Sequence, residues 1–179
     1  MKKIIFIATA ILIMISCTAF AAKDFSRAVG VVVVGGAEYK TPEFYKFIKN
    51  KFDPKSGAKF EVGGDLQNKY QKFLINRDLV GDETPRRQEL IDFTAASGYG
   101  KILFIVINDS NAEHQNNAKS RQRNRTAVQV DGYLCNNLSV IDVATASQQS
   151  DSSTSDLRAR RGAFKKCLEE LAKNLNRSM

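Results

Sequence analysis

Apolar residues fall into two unbroken strings and several periodic stretches. Val29–Val34 reads Val-Gly-Val-Val-Val-Val and stops at Gly35-Gly36; Ile102–Ile107 reads Ile-Leu-Phe-Ile-Val-Ile. A β-branched run without polar alternation predicts a strand buried on both faces, as in a sheet covered by helices. Thr41-Pro42 offers an N-cap and a first-turn proline. Phe44, Tyr45, Ile48 and Phe52 then recur at spacings of one, three and four, which predicts an amphipathic helix ending before Pro54. Lys59–Val62 predicts a short second strand closed by Gly63-Gly64. Asp65 can cap a second helix in which Leu66, Tyr70, Phe73 and Leu74 share a face. Gly81–Pro85 breaks that helix and opens a third, with Leu90, Ile91 and Thr94 or Ala95 inward and Gly98 as its stop.

The pattern weakens in the C-terminal half. Residues 109–125 are polar throughout and predict a long loop. Ala127–Cys135 and Leu138–Thr145 read as an antiparallel hairpin joined by Asn136-Asn137, since asparagine tolerates the left-handed turn conformation. A two-residue turn there would set Asp131 opposite Asp142, where paired carboxylates raise one pKa or bind a cation; another register would separate them. Ser147–Ser155 reads as a flexible connector. A final helix starts near Asp156, with Leu157, Phe164, Leu168, Leu171 and Leu175 as its apolar stripe and Cys167 at the stripe's edge. Strands alternating with helices give an α/β class: a mixed β-sheet with a β-hairpin, covered by about four helices.

A third apolar run has a different meaning. Met1-Lys2-Lys3 precedes Ile4–Ile15, which is followed by Ser16-Cys17-Thr18-Ala19-Phe20-Ala21. A basic start, a run too short to span a bilayer and a small-x-small end are the parts of a secretory signal. Residues 1–21 are therefore expected to be a signal peptide and 22–179 a single exported domain, periplasmic or in the cell envelope. Cleavage after Ala21 would free a soluble chain. Ile13–Cys17 also resembles the bacterial lipoprotein box, in which Cys17 would carry the lipid, and acyl chains hold a protein to a membrane at about 0.8 kcal/mol per buried CH₂.

Without the signal, the formal charge falls from +8 to +6, so the domain stays basic. A basic exported chain fits acidic partners such as anionic headgroups or envelope polymers, and nucleic acid only distantly. Cys135 and Cys167 remain after cleavage at Ala21. Export permits a strand-to-helix disulfide between them; the competing reading is two buried, reduced thiols.

Little in the chain reads as chemistry. The one histidine, His114, has no cysteine or carboxylate partners at metal-ligand spacing, and its neighbour Glu113 makes only a weak acid–base pair. The glycine pairs after the first two strands fit neither GxGxxG nor GxxxxGK[ST], and the thiols form no CxxC motif. No cofactor, metal or catalytic residue is expected. Basic runs are the better candidates. Lys119, Arg121, Arg123 and Arg125 alternate, so an extended segment would project all four to one side. Arg158, Arg160 and Arg161 open the last helix, and Lys165 and Lys166 continue its polar face. Arg158 and Arg161, with the alternating four, form the candidate site for phosphate or carboxylate groups.

The element order, with three short stretches, resembles a group of bacterial envelope domains. These are the periplasmic part of the curli secretion protein CsgG, the lipoprotein activator of penicillin-binding proteins, and the flagellar lipoprotein FlgO. Lys59–Val62 with the helix from Leu66 is similar to their second strand and helix. Ser97–Val106 is similar to their junction of a helix, Gly-Tyr and a hydrophobic strand; Leu138–Thr145 is similar to their strand ending in Asp-x-x-Thr-Gly. Ala146 stands where that glycine would be, and the polar run from Ser147 stands where a further strand would follow. The resemblance implies an adaptor without catalysis, serving another envelope protein or assembly. The alternative is an electrostatic binder of anionic polymer or lipid headgroups.

Overall fold

The computed structural model describes residues 25–52, 59–79, 84–115 and 123–179, the side chains of 109–115, 123 and 124 lying outside the description. The strands are β1 (Val29–Val34), β2 (Phe60–Val62), β3 (Lys101–Gln115), β4 (Arg123–Cys135) and β5 (Val140–Ser152). The helices are α1 (Pro42–Lys51), α2 (Gly64–Asn76), α3 (Arg87–Ser97) and α4 (Asp156–Leu175). The strands form one mixed sheet in the order β2-β1-β3-β4-β5. β1 is parallel to β2 and β3, whereas β3, β4 and β5 run antiparallel.

Both apolar strings lie mid-sheet, as a run buried on both faces requires. Val29, Val31 and Val33 enter the first core with Phe44 and Ile48 of α1 and Phe164, Leu168 and Leu171 of α4. Val32 enters the second core with Leu66 and Tyr70 of α2, Leu90 and Phe93 of α3, and Phe104. Gly30 is where α2 comes closest: a Cβ there would lie 2.4 Å from a Leu66 methyl. Phe104, Tyr70 and Phe93 pack ring on ring, with centroids 4.9–6.1 Å apart.

Helix ends follow local chemistry. Thr41 Oγ1 accepts a hydrogen bond from Phe44 N (3.4 Å), and Ser155 Oγ accepts one from Arg158 N (3.3 Å). Asp65 is not the cap expected of it; it sits inside the first turn of α2, where its charge still suits the helix start. Gly98 ends α3 in the left-handed conformation, φ 79°. In α3 the inward residues are Leu90, Phe93 and Thr94, while Ala95 is exposed. In α4 Cys167 is fully buried and Leu157 is 46% exposed, so the stripe begins a turn later than its spacing predicts.

β2 is too short to pair with all of β1, and a side chain completes the ladder. Gln67 of α2 accepts from Val33 N through Oε1 and donates from Nε2 to Val33 O, both at 3.0 Å. Its amide stands in for the missing strand residue, satisfying two buried backbone groups.

The largest departure from the sequence reading lies at the far end of the sheet. β3 continues to Gln115 and pairs with β4 from Arg123 onward, with an irregularity between Asp109 and Ala112. β5 continues to Ser152, opposite Asn124. The expected loop at 109–125 and the expected connector at 147–155 are thus mostly strand. Along β5, exposed residues alternate strictly with covered ones from Val140 to Ser152. Both sets are polar beyond Ala146, so no hydrophobic alternation marks the strand. There it meets α4 through hydrogen bonds: Gln148 Nε2 to Glu170 Oε2 (2.7 Å) and Lys166 Nζ to Gln149 O (2.9 Å).

Candidate functional site

The far end of the sheet gathers basic residues distant in sequence. Arg125 lies near the start of β4, and pairing with β5 puts it beside Asp151, Nε to Oδ1 at 3.3 Å. Asp151 in turn lines a cleft of about 620 Å³ between the end of β5, the first turns of α4 and Glu43 of α1. Arg158, Arg161 and Lys165 project into it from successive turns of α4, as residues three and four apart on a helix do. Ser150, Ser152 and Ser155 add hydroxyls. Gly162 keeps the helix close to the strand, since a Cβ there would lie 2.6 Å from Ser150 Oγ.

The cations differ in how they are held. Lys165 Nζ reaches Glu43 Oε1 at 2.7 Å, and this hydrogen bond and charge lower the Glu43 carboxyl below its usual range. Arg161 lies over the Phe44 ring, 5.7 Å from guanidinium carbon to centroid. Its Nε is buried and finds no hydrogen-bond partner among the described residues. Arg158 lies exposed in the first turn of α4, where the helix dipole also favours an anion. Two arginines lining one cleft present the planar donor pairs that match phosphate or carboxylate oxygens.

The candidates from sequence are therefore only partly united. Arg125, Arg158 and Arg161 share this end of the molecule. Arg123 opens β4 opposite Gln115. Lys119, Arg121 and Cys17 lie outside the described residues. Glu43 and Ser150 were not legible as site residues, because they come from separate elements that only the tertiary fold joins.

Two pairings that the sequence permitted are absent, and the alternative reading holds at each. Cys135 and Cys167 are free, and they sit in different cores on opposite faces of the sheet. No disulfide can cross that layer. Burial pushes the thiols up, Cys135 to about 12 and Cys167 to about 11. Cys167 Sγ donates to Val128 O at 3.2 Å. Nor do Asp131 and Asp142 meet. The turn spans 136–139 and a register shift follows it, so Asp131 faces Thr145 and Asp142 faces Leu134. Asp131 accepts from Thr145 Oγ1 (2.7 Å) and Asn108 Nδ2 (2.8 Å), which leaves no carboxylate pair. Among the described residues no three His, Cys, Asp or Glu side chains gather as a metal site would require.

No protein-family model and no curated protein matches this chain. Several solved structures share its arrangement loosely. The PelC dodecamer from Paraburkholderia phytofirmans aligns at 11% identity and a TM-score of 0.44, over 84% of this chain and 87% of that one. A lipoprotein from Neisseria meningitidis gives 12% identity and 0.44, over 82% and 99%. A minor lipoprotein from Acinetobacter baumannii gives 8% identity and 0.33, over 85% and 91%. Likeness of this degree assigns no activity.

Proposed function

We propose that this chain is an exported, non-catalytic interaction domain of the bacterial cell envelope. Export rests on the basic–apolar–small pattern of residues 1–21, and the adaptor role is what its resemblance to envelope domains implies. The observation that carries the reading is the half-open sheet. β5 is a thirteen-residue edge strand, and its face away from α4 presents Val143, Thr145, Ser147 and Gln149 exposed in a row. A long edge strand with an uncovered face is a ready platform for a partner protein. A photo-crosslinker at Thr145, compared in intact cells with one at Lys173 on the outer face of α4, tests this. One reproducible partner specific to position 145 is expected. Equal labelling from both positions, or none, would reject the reading.

A second reading, binding of an anionic envelope polymer, is favoured by the cleft and its arginines. Such binding should weaken on the order of tenfold or more between 50 and 200 mM salt, as displaced counterions predict. Arg158→Ala with Arg161→Ala should abolish retention on an anionic matrix; unchanged retention would remove this reading.

A further inference from the structure

Five large apolar side chains are exposed among the described residues, and three of them, Leu138, Ile141 and Val143, fall within six residues of the β4–β5 hairpin. Isolated exposed leucines need no explanation, but a local group does. Leu138 is the extreme case, 79% exposed at the turn. The turn that carries it is firmly held. Asn136 Oδ1 accepts hydrogen bonds from Leu138 N (2.9 Å), Ser139 N (2.7 Å) and Ser139 Oγ (3.3 Å), and Asn136 N donates to Ser139 O (3.0 Å). The leucine is thus displayed on a preformed knuckle, with little ordering left to pay for on burial.

Strand register fixes what else shares this end. Cys135 faces Ile102 at the start of β3, and Lys101 faces Val29 at the start of β1. Phe25, where the described chain begins, is tied to the same edge: its carbonyl accepts from Gly100 N (3.0 Å) and Ala28 N (2.8 Å). Phe25 thus lies at the same end of the sheet as the hairpin turn. Arg27, Lys59 and Arg177 are exposed at this end, and Lys101 Nζ donates to Ser178 O at 2.9 Å. Acids share this end as well: Asp142 accepts from Ser178 Oγ, Glu61 accepts from Tyr99, and Asp65 lies beside Glu61. An apolar tip on an end of the sheet that also presents exposed Arg27, Lys59 and Arg177 has the composition of a surface that rests on anionic lipid. Among the described residues no helix is long and apolar enough to cross a membrane.

We infer that the β4–β5 turn is a membrane-docking tip that sets Leu138 and Ile141 into the headgroup region of an anionic bilayer, with the cleft end turned away. This rests on the reading of the chain as an exported envelope domain. If Cys17 carried a lipid, residues 18–24 would span at most about 25 Å, which holds this same end near the bilayer.

The chain has no tryptophan, so one can serve as a reporter. The protein recovered after export of the complete chain, carrying Leu138→Trp, is mixed with phosphatidylethanolamine–phosphatidylglycerol vesicles containing brominated acyl chains. A blue shift and bromine quenching are expected at position 138. Neither is expected for Thr154→Trp, exposed at the opposite end. Leu138→Asp should lower the vesicle-bound fraction on the order of tenfold, the loss expected when one leucine is no longer buried. An unquenched tryptophan in the Leu138→Trp variant, or equal quenching at both positions, overturns the docking tip, including the case in which the hairpin serves a protein or second copy instead. The export reading fails separately, if cell fractionation recovers the chain in the cytoplasm.

Discussion

Two halves of one sheet are built on different terms. The half made of β1, β2 and the first residues of β3 is covered on both faces, by α1 and α4 below and α2 and α3 above. Beyond Cys135, Tyr133 and Val140, which still pack against the second core, the half made of β4 and β5 is covered by α4 alone, and its other face holds Thr145, Ser147 and Gln149 in the open. A doubly covered strand must be apolar at every residue, whereas a singly covered strand needs only every second one. Where α4 is itself polar, even that second residue can be polar. The sheet therefore grades from a packed core into a hydrogen-bonded ribbon, and it is the ribbon that carries the cleft and the free edge.

Breaking the packed half should cost most. Phe104→Ala removes a fully buried ring from the Tyr70–Phe93 cluster and should destabilise by about 3–5 kcal/mol in urea unfolding. Val143→Ala on the open face should stay within about 0.5 kcal/mol. Similar losses at the two sites would dissolve the distinction between the halves.

Gln67→Leu keeps much of the volume but strands Val33 N–H and C=O inside the protein. About 2–4 kcal/mol should be lost, since each unsatisfied buried group costs about 1–3. A thermal midpoint equal to that of the unaltered protein would mean that water or another side chain replaces the amide.

A smaller effect follows from the thiols. An unfolded cysteine releases its proton near pH 8.5, while the folded thiols hold theirs to about 12 and about 11. The unfolded state thus binds fewer protons above pH 8.5, so this contribution to stability is intact below that pH and declines towards pH 11. Urea midpoints at pH 8 and 10 should differ less in a Cys135→Ala, Cys167→Ala variant than in the unaltered chain. Mass spectrometry should find both Cys135 and Cys167 alkylated in the unfolded chain without reductant, and neither in the folded one.

The least effect is expected on the ribbon. Arg125→Ala breaks an ion pair that is almost half exposed on each side and should change stability by about 0.5 kcal/mol or less. A larger loss would show that the ribbon is held by charge as well as by backbone pairing.

Apolar residues made most of the fold legible in advance. Val29–Val34 and Ile102–Ile107 announce buried strands, and Thr41-Pro42 marks a helix start at the right place. The extensions of β3 and β5 were not legible, because Asp109–Gln115 and Ser147–Ser152 carry no hydrophobic alternation. Backbone pairing with β4 makes them strands, and that depends on neighbours rather than on composition. Of the site, the arginines could be named individually. Their meeting could not, since Arg125 reaches the cleft of Arg158 only by pairing with Asp151, on a strand that read as a connector.

By itself the sequence determined an α/β class and which residues form most of the core, because burial acts on local apolar patterns. Tertiary structure alone decided the rest. The sheet is a single layer between two cores, so the faces taken by Cys135 and Cys167 ruled out a disulfide that their number permitted. The four-residue turn shifted register enough to part Asp131 from Asp142. Short β2 left a gap that a glutamine from α2 fills. Each of these depends on which distant segments become neighbours, and spacing along a chain carries no record of that.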